Sequence, residues 1–180
     1  MGNIMDYIEW RGDLPFTQSE FNDVDNLILA CFSYVNLDGI QEAASQNGIE
    51  LKALTEKFLQ LHTEKELKED KSFIRFAPFM MLEMAKTERF GQCVIRNYVN
   101  EIVAEEAQQF SAVEICLSDG TSYISFRGTD DTIVGWKEDF NLSTGVVPAQ
   151  ERAVEYLRRI AGSLQEMAVS YTHLTLPTIR

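Results

Sequence analysis

The sequence predicts an α/β fold: a helical N-terminal part, then a β-hairpin, then further helices. Three observations carry this expectation. Apolar residues recur three and four apart through roughly the first half of the chain. Composition turns to β-formers after Gly91, and Ser118-Asp-Gly-Thr121 is a turn signal between two apolar runs. A last amphipathic stretch with Ala153, Tyr156, Leu157 and Ile160 on one face closes the pattern.

Taken in order, Asn22 or Asp23 caps a helix whose Val24, Leu27, Ile28 and Cys31 share a face. Glu50 to His62 repeats the spacing with Leu51, Leu54, Phe58 and Leu61. The mixed charges from Glu64 to Lys71 describe a solvated helix surface or loop. Pro78 suits the first turn of a helix, where the amide it lacks has no intrahelical partner. The following Phe79 to Ala85 is apolar on nearly every side, so that helix is expected to be buried. Val94 to Val103 and Ala112 to Leu117 are rich in β-formers, and Tyr123 to Phe126 returns as the second strand of the hairpin. From Asp130 the pattern is helical again, broken around Gly145 to Pro148, with a final helix from about Ala149.

The 180 residues and 45% hydrophobic content suit one globular domain. A net charge of −12 disfavours nucleic-acid partners, which need clustered Lys and Arg, and docking by charge to anionic lipid. Cys31, Cys93 and Cys116 are widely spaced, with no Cys-x-x-Cys. They read as buried small side chains in a reducing compartment, not as a disulfide frame or a metal site. The N-terminus lacks a basic-then-apolar signal pattern, and no apolar run approaches the ~18 residues of a membrane span. A cytoplasmic location without membrane insertion is expected, with no metal or cofactor.

The run from Ile124 to Phe140 carries the chemistry. It begins as an apolar strand, turns at Gly128, and places a hydroxyl at Thr129 directly after the glycine. Such a turn presents a backbone N–H and a hydroxyl that can stabilise a developing oxyanion. The plainer reading is a strand-end turn whose hydroxyl caps the next helix. Asp139 lies ten residues past Thr129 and can accept its hydroxyl hydrogen, fixing the rotamer. Trp136 flanks the cleft or serves as a core aromatic. Arg127 is expected to pair with Asp130, Asp131 or Asp139 rather than to clamp substrate. His62 reads as a surface or packing residue, the Met80, Met81 and Met84 cluster as core filling before an acyl pocket, and Arg11-Gly-Asp13 as a turn.

The Phe126-Arg-Gly-Thr129 segment with its following Trp and Asp resembles the class 3 lipase pattern. The chain resembles more closely the Mbeg-like family of α/β-hydrolase-fold proteins. That likeness is carried by Asn3 to Phe16, Phe21 to Leu29, Gln109 to Ala112, Phe126 to Phe140 and Val147 to Gln150. The resemblance implies an α/β-hydrolase-like fold and a serine hydrolase acting on a small ester or lipid. Thr129 would be the oxyanion donor, Gly128 the turn, Asp139 the residue orienting Thr129, and Trp136 a cleft wall. A glycine-flanked Ser elbow would follow the helix containing Tyr156, with Asp and His later. No Gly-x-Ser-x-Gly is present, and Gly162-Ser163 lacks the second glycine. The alternative is a non-catalytic hydrolase-fold binding or scaffolding protein.

Val169 to Thr178 resembles the translation of a transposase sequencing adapter. Residues 1–167 are accordingly expected to be the N-terminal fragment of an α/β-hydrolase-like domain, truncated before the nucleophile elbow. Residues 168–180 would be a non-native tail, which leaves His173 without meaning. Without the later parallel strands, the apolar faces of Ala77 to Ala85 and Ala153 to Ile160 are expected to lack part of their cover.

Overall fold

The computed structural model describes residues 2–69, 75–103, 108–127, 148–162 and 166–171. It is a mixed α/β arrangement on a five-stranded sheet in the order β1-β2-β3-β4-β5. The strands are β1 (Ile49–Glu50), β2 (Val94–Val103), β3 (Gln108–Cys116), β4 (Thr121–Phe126) and β5 (Glu166–Tyr171). The first three pairings are antiparallel, and β4 with β5 is parallel. The helices are α1 (Ile4–Arg11), α2 (Asp23–Phe32), α3 (Gln41–Ala44), α4 (Leu51–Leu61), α5 (Glu64–Glu69), α6 (Ala77–Met84), α7 (Glu88–Gly91) and α8 (Pro148–Ala161).

Alternation along the strands gives the sheet two apolar faces. Ile95, Val113, Ile115 and Tyr123 belong to the larger core, which they share with buried residues of α1, α2, α4, α6 and α7. Phe110, Ala112, Ile124 and Phe126 point the other way and pack with Tyr156 and Ile160 of α8. The order of layers is therefore helices, sheet, helix. The central strand β3 is buried on both faces, and its residues from Phe110 to Ile115 are all nearly inaccessible.

The helical layer starts with two capping boxes. Asn3 accepts the amides of Met5 and Asp6, while the Asp6 carboxylate takes the Asn3 N–H at 2.7 Å. Asn22 and Asp25 repeat the arrangement at α2. Each satisfies amides that a helix start would otherwise leave open. The segment Arg11-Gly-Asp13 leaves α1 as a turn, as expected. Gly12 has an ordinary φ of −65°, yet a Cβ there would come within 2.4 Å of both the Ile8 carbonyl oxygen and Thr87 Cγ2. Close approach, not backbone conformation, requires the glycine.

Several expectations need correction. On α2 the buried residues include Asp25, Ile28, Leu29 and Phe32, while Leu27 is 54% exposed and Val24 faces outward. The helix is rotated because Asp25 is drawn inward by Arg89 of α7. Leu61 is 53% exposed although Leu51, Leu54 and Phe58 are buried as the spacing predicts. Strands β1 and β5 have no counterpart in the sequence pattern, and β3 and β4 each begin earlier than the β-formers suggest. Strand β5 spans residue 168, where the non-native tail is expected to begin, and its being a strand does not bear on that expectation.

The expectation of uncovered faces is not met. Ala77, Met80, Met81, Met84 and Ala85 are buried, and so are Tyr156 and Ile160. Helices α1, α2 and α4 close over α6, and the β3 surface covers α8. The methionines are core filling, as polarizable unbranched side chains at an irregular helix junction commonly are.

Candidate active site

The expected site begins where β4 ends. Ile124 and Phe126 are buried against α8, and the Arg127 N–H donates to the Ser111 carbonyl at 2.9 Å, one step beyond the Ala112–Phe126 pair. Gly128, Thr129, Trp136 and Asp139 lie outside the described residues, as do Asp130 and Asp131. The described residues define the platform from which that segment departs.

Its main feature is the parallel β4–β5 pair. Phe126 and Tyr171 are register partners, so the C-terminal ends of the two strands reach the same edge of the sheet. Helix α8 precedes β5 in sequence and packs on the opposite face from the N-terminal helices.

On the face toward the N-terminal helices, a polar chain crosses three strands and enters the loop after α2. Arg127 Nη2 donates to Asn100 Oδ1 at 2.9 Å, and Asn100 Nδ2 donates to Asp38 Oδ2 at 2.8 Å. The Asp38 N–H in turn donates to Asn36 Oδ1 at 2.9 Å. Tyr98 receives the Leu37 N–H on its hydroxyl at 3.2 Å, and burial pushes its pKa up to about 12. The expected Asp130, Asp131 and Asp139 partners of Arg127 lie outside the described residues; its described partner is Asn100.

On the face toward α8, Phe110, Phe126 and Tyr156 form an aromatic trio with centroid separations of 5.8 to 6.2 Å. Tyr156 donates its hydroxyl to the Asn97 carbonyl at 3.0 Å. Asn97 has φ of +53°, and the β2–β3 register shifts between Arg96 and Val99. This bulge turns the Asn97 side chain toward Glu114, a fully buried acid held by Arg96 Nη2 and Asn97 Nδ2, each at 2.7 Å. Burial alone would raise the Glu114 pKa. Hydrogen bonds from Arg96, Asn97 and Ser122 outweigh it and hold the carboxyl below its ordinary value. Nearby, Val99, Phe110 and Tyr156 line a cleft of about 170 Å³ whose rim carries Arg152, Glu155 and Arg159.

The other sequence candidates resolve simply. His62 is half-buried, with its ring 4.4 Å from that of Phe58, so it is a packing residue. Gly162 follows α8 in a turn, and Ser163 lies outside the described residues. All three cysteines are free, Cys93 buried and Cys31 and Cys116 partly so. Burial pushes the Cys93 thiol up to about 12, which removes it as a nucleophile near neutral pH. Among the described residues no group of His, Cys, Asp and Glu side chains is arranged to hold a metal ion. No helix among them is long and apolar enough to cross a membrane. Sequence reasoning missed Asp38, Asn97, Asn100 and Glu114. Only Glu114 carried a signal, as a lone acid within the apolar run Ala112-Val-Glu-Ile115.

The model of the Mbeg1-like family matches residues 84–173, from the end of α6 through all three antiparallel strands after it, α8 and β5. No curated protein and no solved structure matches the chain. The segment with Thr129 falls inside the matched span, and Asn3 to Phe16 falls outside it.

Proposed function

This chain belongs to the Mbeg1-like family, and from that premise we propose that it carries the oxyanion side of a serine hydrolase acting on a small ester or lipid in the cytoplasm. Gly128 turns the chain, and Thr129 offers its backbone N–H and hydroxyl to the oxyanion. Asp139 orients that hydroxyl, and Trp136 walls the cleft. The nucleophilic serine belongs on an elbow directly after a strand in the position of β5, with its acid and base later in the sequence.

One observation supports this reading above the rest: β4 and β5 pair in parallel, a register already set by Thr121 with Glu166 and Ser122 with Met167, ahead of the expected tail. Ligands of open α/β sheets bind outside the carboxyl ends of parallel strands. Neighbouring strands lie ~4.8 Å apart, so a donor after one and a nucleophile after the other can reach the two sides of a single carbonyl group. The serine oxygen would attack the carbonyl carbon while its proton passes to the histidine. The negative charge gathered on the carbonyl oxygen would meet donors already in place, which is where such a site lowers the barrier most.

In this sequence Tyr171 is followed by Thr172-His173-Leu174, without a glycine-flanked serine. The 180-residue chain is therefore expected to leave esters unhydrolysed. The test uses a longer protein that continues this sequence past β5. Thr129→Val keeps the shape and removes the hydroxyl, and should lower kcat by about 10²-fold with KM little changed. Asp139→Asn should cost less. An unchanged kcat in Thr129→Val would remove that hydroxyl from the mechanism. A reading frame without a serine elbow would replace the enzyme by a binding or scaffolding module on the same fold.

A further inference from the structure

We propose that Asp38 and Asn100 are positioning residues that fix the main chain at Arg127, the residue from which the chain enters Gly128 and Thr129. The inference rests on the hydrolase reading for its functional meaning, while its geometry stands apart from it.

Asn100 and Ser111 are register partners on β2 and β3, and Arg127 follows β4 opposite Ser111. The three residues form one row across the sheet, on the face of the N-terminal helices. Among the described residues the buried Arg127 Nε has no hydrogen-bond partner, and the contact of Nη2 with Asn100 orients the guanidinium.

The chemistry of the chain is directional. A guanidinium only donates and a carboxylate only accepts, whereas an amide does both. Between Arg127 and Asp38, Asn100 can satisfy both neighbours in one orientation alone: Nδ2 toward Asp38 and Oδ1 toward Arg127. The flipped amide would set donors against donors and acceptor against acceptor. Asp38 thus decides how Asn100 presents itself to Arg127, without touching Arg127.

Asp38 is itself held by a built loop. Its N–H donates to Asn36 Oδ1, Tyr98 receives the Leu37 N–H, and Gly39 follows with φ of +90°, where a side chain would be strained. The position of the loop after α2 is transmitted through one amide to the start of the oxyanion segment. Preorganised donors require such support to hold their geometry.

The test is backbone amide exchange in the 180-residue chain, read at Arg127 and residues 128–131 relative to Val113 and Ile115. Asp38→Ala is expected to raise exchange at Arg127 by about tenfold while the β3 amides and the Tm stay unchanged. Asp38→Asn keeps an acceptor and should restore most of the protection. Asn100→Leu removes both contacts and should match or exceed Asp38→Ala. Unchanged exchange at Arg127 in Asp38→Ala would overturn the proposal. So would equal acceleration across β3, which would make Asp38 a general stability residue. None of these readouts involves ester turnover, so a failed hydrolase reading leaves the result interpretable.

Discussion

Asp25 and Arg89 form a bidentate ion pair across 64 residues of sequence, both fully buried, with contacts of 2.8 Å to Nε and 2.6 Å to Nη2. Arg89 also donates to the carbonyls of Leu14, Ser19 and Glu20 and lies 4.0 Å above the Phe16 ring. Tyr7 donates its hydroxyl to Asp25 Oδ1 at 3.2 Å. One side chain thus organises the turn after α1, the start of α2 and α7.

Removing one partner of a buried pair strands the other charge, at a cost of roughly 3–5 kcal/mol. Arg89→Met should fall in that range in urea denaturation. The double variant Asp25→Leu with Arg89→Met removes both charges yet still orphans three carbonyls, so it should recover only part of the loss. A double variant as stable as wild type would show that the carbonyl contacts contribute little.

Gly12 tests close approach between α1 and α7. Because its φ is ordinary, Gly12→Ala is not strained by conformation and would even be favoured in the unfolded-state balance. The added Cβ nevertheless meets Ile8 O and Thr87 Cγ2, both at 2.4 Å. The expected net loss is about 1–3 kcal/mol, as for overpacking elsewhere. Thr87→Ser removes Cγ2 but not the backbone oxygen, so it should relieve only part of the clash in a double-mutant cycle. An unchanged Tm in Gly12→Ala would contradict the packing.

Glu114 ties stability to pH. Its folded pKa is held below the ordinary carboxyl value, so the unfolded chain binds its proton first as pH falls. The stabilisation is fully present above that ordinary value and is lost as pH drops through the lower folded value. Glu114→Gln should be less stable at neutral pH, because Arg96 is left without its counter-charge. It should also lose less further stability than wild type does between about pH 5 and 3. Parallel pH dependences for the two proteins, measured by chemical denaturation, would contradict the assignment.

Local signals explain what the sequence reveals of this fold. Pro78 marks the start of α6 through its missing amide, and Asp119-Gly120, with Gly120 at φ of +95°, marks the hairpin turn. Leu51, Leu54 and Phe58 report the buried face of α4 by spacing alone. What is missed depends on distant partners. The inward turn of α2 follows from Arg89, which no apolar count over Val24, Leu27, Ile28 and Cys31 can include. Strand β1 has two residues, too few for a period, and β5 runs into the adapter-like stretch that begins at Val169. At the candidate site the Phe126-Arg-Gly-Thr129 motif is visible as a pattern. The Asp38–Asn100–Arg127 chain is not, because its members come from three separate segments and none is unusual in its own.

The central claim is a nucleophile beside the oxyanion segment at the shared end of β4 and β5. The most direct measurement is fluorophosphonate labelling of a longer protein that continues this sequence past β5, with the 180-residue chain and a denatured sample alongside, followed by peptide mapping. The account predicts one labelled serine, flanked by glycines and directly following the β5 strand, and no labelling of the 180-residue chain above the denatured control. Labelling of the 180-residue chain, or an unlabelled longer protein that is folded, would contradict it.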